Sequence, residues 1–79
     1  MNPEDIEELL RAELTDCEVS VSGSGNHFDI NVVGEVFEGL RAVRRQQLVY
    51  AVLTEHIASG AIHAVNIRTS TPGESASQA

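Results

Sequence analysis

The chain has 79 residues, twelve Asp plus Glu against five Arg and no Lys, and a formal net charge of −7. That length leaves no room for a second domain, and no apolar run approaches the ~20 residues a membrane span needs. The acidic balance excludes a broad basic surface for nucleic acid, so any phosphate contact falls to one local cluster, Arg41, Arg44 and Arg45.

The first element is a helix. Asn2 is placed to cap it, Pro3 suits the first helical position, and Glu4 and Asp5 favour the positive end of the dipole. Ile6, Leu9, Leu10 and Leu14 form one apolar stripe, which carries the helix to Leu14 or Thr15. A hairpin follows. Cys17, Val19 and Val21 alternate with Glu18, Ser20 and Ser22; Phe28, Ile30 and Val32 alternate with Asp29, Asn31 and Val33; Ser22–Asn26 reads as the turn. One face of the sheet is apolar and the other polar, so a single side is covered.

Gly34–Gly39 is a short connector carrying Val36 and Phe37. A longer helix then spans about Val43–Ala58, with Val49, Leu53 and Ile57 inward, Tyr50 and Val52 beside them, Arg44, Gln47, Thr54 and Glu55 opposite, and Gly60 at its end. A third strand covers Ile62–Thr69, with Val65 and Ile67 on the face of His63. The order is α-β-β-α-α-β. A helical crossover joining the last two strands makes them parallel and right-handed. The expectation is one α+β domain over residues 1–71, a three-stranded mixed sheet covered on one face by helices, followed by a small polar, disordered tail at 72–79.

The chemistry rests on histidine. His27 opens the second strand and His63 the third, and parallel neighbours ~4.8 Å apart start at the same sheet edge. The two imidazoles then meet at one rim, as half of a metal site. Taken singly, each has a plainer role: His63 caps the core, His27 is a solvated turn residue, and His56 is a packing or interface residue. Two ligands hold no metal tightly, so the rest must come from a partner, which points to an adaptor rather than an enzyme. Cys17 shares the parity of Val19 and Val21 and is expected buried and inert. Ser22-Gly23-Ser24-Gly25 leads into a strand with no following Lys and is no nucleotide loop. No Ser or Cys is paired with a base, so a catalytic reading has no support. The single cysteine suits a reducing compartment, and Met1–Asp5 lacks the basic start of a signal peptide. A cytoplasmic location is expected.

Several separated motifs, Gly34-Glu35-Val36-Phe37-Glu38-Gly39-Leu40, Val43–Tyr50, Ile62-His63-Ala64-Val65-Asn66-Ile67 and Thr71-Pro72, resemble the BolA family in order and spacing over about residues 4–72. Gln46-Gln47 resembles a bacterial branch of it. The resemblance implies a class II KH-like fold, and a partnership with monothiol glutaredoxins around a shared 2Fe-2S cluster to which the glutaredoxin and glutathione contribute thiolates. The isolated chain is expected to carry no cofactor. It further implies ligand roles for His63, in its Ile-His-Ala context, and for His27, just before Phe28. The family is also linked to transcriptional regulation. That alternative would use Arg41, Arg44 and Arg45, and the net charge and the missing Gly-x-x-Gly clamp weaken it. The Trp that usually follows Thr-Pro is replaced here by Gly73-Glu74-Ser75, so the family's final helix is not expected.

Overall fold

The computed structural model describes residues 2–24 and 27–77. Helix α1 runs Pro3–Glu13 and starts in a complete capping box. The Asp5 amide donates to Asn2 Oδ1 at 2.9 Å, and the Asn2 amide donates to Asp5 Oδ2 at 3.2 Å. Its stripe is anchored by Ile6 and Leu10, both fully buried.

Strands β1 (Glu18–Ser24) and β2 (His27–Val33) are antiparallel. The strands run further into the expected Ser22–Asn26 turn than its Gly/Ser composition implies. Ser22, Gly23 and Ser24 continue the strand, and Ser24 pairs with His27; Gly25 and Asn26 lie outside the described residues. Gly23 makes this possible. Its φ is +140°, and a Cβ there would collide with the His27 carbonyl and come within 2.9 Å of the Phe28 Cα.

After β2 the chain makes a 3₁₀ turn at Glu35–Phe37 and enters α2, Ala42–Ala58. Phe37 is fully buried; Val36 beside it is 48% exposed. Strand β3 (Ala64–Ser70) returns parallel to β2, giving a mixed sheet in the order β1-β2-β3. The alternation of β2 places Phe28, Ile30 and Val32 inward, against Ile6, Leu10, Phe37, Val49, Leu53 and Ile62, and leaves Asp29 and Asn31 in water. The core is therefore one layer between the sheet and α1 and α2. The two-layer α+β architecture agrees with the sequence.

Two expectations are corrected. First, β3 starts at Ala64, later than expected, and His63 is exposed before it and does not share the face of Val65 and Ile67. The Ile62 amide donates to the His56 carbonyl at 3.1 Å, which wraps this segment around the end of α2 and sends Ile62 into the core. Strand alternation begins only after that turn. Second, Pro72–Ser77 forms a helix, α3, where a disordered tail over 72–79 was expected; residues 78–79 lie outside the described residues. Thr71 and Glu74 make a reciprocal cap: the Thr71 amide donates to Glu74 Oε1 at 3.0 Å, and the Glu74 amide donates to Thr71 Oγ1 at 3.2 Å. Pro72 opens the helix, where its missing N–H is no loss.

Candidate functional site

The register of the parallel pair decides where the histidines fall. His27 is the partner of Ala64, so His63 is the residue immediately before the one across from His27. Both rings stand at the edge where β2 and β3 begin, and both residues are exposed. Neither ring has a hydrogen-bond partner among the described residues. His56 joins them at this end of the molecule: it lies in the last turn of α2, half-buried, with its carbonyl held by the Ile62 amide and by the Ser59 hydroxyl at 3.1 Å. All three histidines thus gather at one pole, built by the α2 C-terminus and the starts of β2 and β3. Among the described residues no group of three or more His, Cys, Asp or Glu side chains is arranged to hold a metal ion.

Cys17 belongs elsewhere. Glu18 pairs with Val33, at the opposite end of β2 from His27, so the thiol sits roughly 20 Å from the histidine pole, at ~3.3 Å per strand residue. It is half-buried rather than buried, lying against Gly34. Burial, and secondarily the Asp16 carboxylate, push its thiol pKa up, the opposite of what a reactive or metal-binding cysteine requires.

The arginine cluster is divided. Arg41 and Arg44 are exposed at the start of α2. Arg45 is committed, its side chain 13% exposed. Its Nε donates to the Leu40 carbonyl at 2.8 Å, and its two terminal nitrogens donate to Glu74 at 2.6 and 3.2 Å. This bidentate pair, reinforced by the Thr71 amide, lowers the Glu74 carboxyl to a pKa of about 2. Arg45 therefore does not join Arg41 and Arg44 as a free cation. The sequence reading missed Glu74, although Thr71-Pro72-Gly73-Glu74 is a capping-box pattern that announces it.

The outer sheet face is polar. Asn66 donates from Nδ2 to Asp29 Oδ1 at 3.1 Å across β2 and β3, and Ser20, Asn31 and Arg68 lie beside this pair over a shallow trough of about 950 Å³. At the β3 edge, Gln46 reaches the free Ile67 carbonyl at 3.2 Å and fastens α2 to the sheet.

Helices on one face of a sheet ordered β1-β2-β3, antiparallel and then parallel, make this a two-layer α+β domain. The model of the BolA-like protein family matches residues 7–74, and the chain belongs to that family. It is 51% identical over 74 residues to a protein from the rpoN-murA intergenic region of Acinetobacter guillouiae, covering 94% of this chain and 89% of that one. It is 46% identical to the acid stress protein IbaG of Escherichia coli K12, covering 94% and 88%. Among solved structures, a BolA homologue from Coxiella burnetii superposes with a TM-score of 0.85 at 36% identity, covering 96% and 97%.

Proposed function

We propose that this chain is a non-enzymatic adaptor that docks a monothiol glutaredoxin and completes the ligation of a 2Fe-2S cluster shared with that partner and glutathione, in iron–sulfur trafficking or iron homeostasis. The observation that carries the reading is the β2–β3 register: it sets His27 one residue out of step with His63 at a single exposed edge, with both rings free of partners among the described residues. Exposed imidazoles are suitable donors to iron, and two of them at one edge leave the remaining positions to a second polypeptide. When bound, the cluster would supply redox and cluster-transfer chemistry. The chain itself would contribute a rigid edge that fixes the spacing of its two donors, because each sits at or beside the first residue of a hydrogen-bonded strand. Membership of the BolA family supports the partner class.

A nucleic-acid-binding regulator has less behind it. Of its three arginines, Arg45 is neutralised by Glu74, leaving Arg41 and Arg44 in a chain of net charge −7.

The test is reconstitution with a monothiol glutaredoxin, glutathione and iron. Adding the wild-type chain is expected to change the visible absorption and circular dichroism of the cluster; His63→Ala is expected to abolish that change and His27→Ala to weaken it. If both variants give the wild-type spectrum and affinity, the ligand assignment is wrong.

A further inference from the structure

The outer face of α2 carries a feature that the histidine pole does not explain. Val43, Gln47, Tyr50, Ala51, Thr54 and Ala58 line one stripe, opposite the buried Val49 and Leu53, and none is charged in a chain where 22% of residues are. Val43 is 70% and Tyr50 45% exposed. All but Ala58 of that stripe line a mainly apolar groove of about 460 Å³. An exposed helix face of this kind is a docking surface in want of an occupant.

The charges around the stripe identify one. Arg44 and Glu55 are eleven residues apart, so they lie only about 20° from each other around the helix and about 16 Å along it. Both border the stripe on the same flank, both are exposed, and neither has an ion-pair partner among the described residues. When a helix packs antiparallel on its own copy about a twofold axis, each flank stays on its own side while the chain direction reverses. Arg44 of one copy then faces Glu55 of the other, and the same pair recurs by symmetry. The axis passes midway, level with Val49 and Tyr50, which is also the middle of the groove. The opposite flank, formed by Gln46 and Ile57, carries no charge to oppose this. The rest of the surface points the same way. Residues 41–58 hold three of the five arginines and a single carboxylate, Glu55, whereas α1 carries Glu4, Asp5, Glu7, Glu8 and Glu13 against Arg11. Two chains of net charge −7 therefore repel each other least through α2.

We infer that the outer face of α2 is a self-association surface, on which two copies pair antiparallel through the Val43–Thr54 groove with reciprocal Arg44–Glu55 ion pairs. Two 17-residue helices bury less than the ~1,200–2,000 Å² of a stable interface, so the dimer is weak, reversible and concentration-dependent.

Sedimentation velocity of the full chain at low salt, from about 10 μM to about 1 mM, reads this directly. The wild-type sedimentation coefficient is expected to rise with concentration. Arg44→Glu and Glu55→Arg are each expected to weaken association about tenfold or more, because each sets two like-charged pairs across the axis, and the double variant is expected to restore it. Both positions are exposed, and far-ultraviolet circular dichroism of the same samples checks that the fold persists. A wild-type chain monomeric throughout overturns the inference. So does association indifferent to the single reversals, or a double reversal that fails to recover it.

Discussion

Gly34 shows how one residue can hold two elements at a fixed separation. Its φ of −165° is ordinary extended backbone, so its glycine identity is not a matter of conformation. A Cβ there would run into the Cys17 sulfur. Cys17 precedes β1 and Gly34 follows β2, so this contact sets how closely the open ends of the hairpin approach. Gly34→Ala is expected to destabilise the protein by about 1–3 kcal/mol through overpacking. Combining it with Cys17→Ala should recover much of that loss, because the colliding atom is gone. Urea denaturation of the two single variants and the double variant measures the coupling; strict additivity would show that the two residues do not clash. Gly23 is different. Its φ of +140° and its closeness to the His27 carbonyl penalise any side chain, with no single partner to remove. Gly23→Ala should therefore be destabilising in every background, and because Gly23 lies one residue from the Ser24–His27 pair, it should also weaken whatever His27 binds.

At the scale of elements, α3 is a six-residue helix too short to persist on its own, and it is held by Glu74. Glu74 accepts from the Thr71 amide and from both terminal nitrogens of Arg45, which pull its carboxyl from an ordinary 4.5 down to about 2. A folded-state pKa below the unfolded one gives stability that is complete above the unfolded value and is lost as pH falls through the folded one. Docking of α3 should therefore be unaffected down to about pH 4.5 and fail progressively toward pH 2. In Glu74→Gln it should be weakened at every pH, without that acid transition. Amide exchange or chemical shifts of residues 72–77 followed against pH test this; a wild-type profile in the variant would show that Glu74 is not the tether. This element also marks where sequence reading failed and why. The strands, α1 and α2 were legible because alternation and helical stripes repeat over many residues, as Phe28-Ile30-Val32 and Ile6-Leu10 do. Helix α3 buries no such stripe. Its stability comes from a cap and from an ion pair spanning 29 residues, and the long-range half of that has no local signature. The same reasoning covers the site. That His27 and His63 share an edge followed from topology, and the register bore it out. The inward parity assigned to His63 failed because the backbone bond from Ile62 to the His56 carbonyl turns the chain around the end of α2 and leaves His63 outside the strand, which starts at Ala64.

For the whole molecule, the histidine pole exists only while the sheet keeps its register, so packing and site chemistry must be separated experimentally. Phe37 is the means. It is fully buried, one of the largest side chains in the core, and comes from the connector between β2 and α2, remote in sequence from both histidines. Phe37→Ala should cost about 3–5 kcal/mol, a large share of the ~5–15 kcal/mol that keeps an average domain folded. A chain of 79 residues without a disulfide has little reserve against that. The variant should unfold at much lower urea, and any partner or cluster binding should fall in step with the folded fraction, returning when a stabilising salt or lower temperature refolds it. His63→Ala should do the reverse. The His63 imidazole is exposed and bonded to nothing among the described residues, so its removal should leave the unfolding free energy within about 0.5 kcal/mol of wild type, while the change the chain induces in the cluster spectrum is lost at full folding. If Phe37→Ala loses the cluster while still folded, or His63→Ala loses it only by unfolding, then the pole is a stability element, and the donor role assigned to its imidazoles fails.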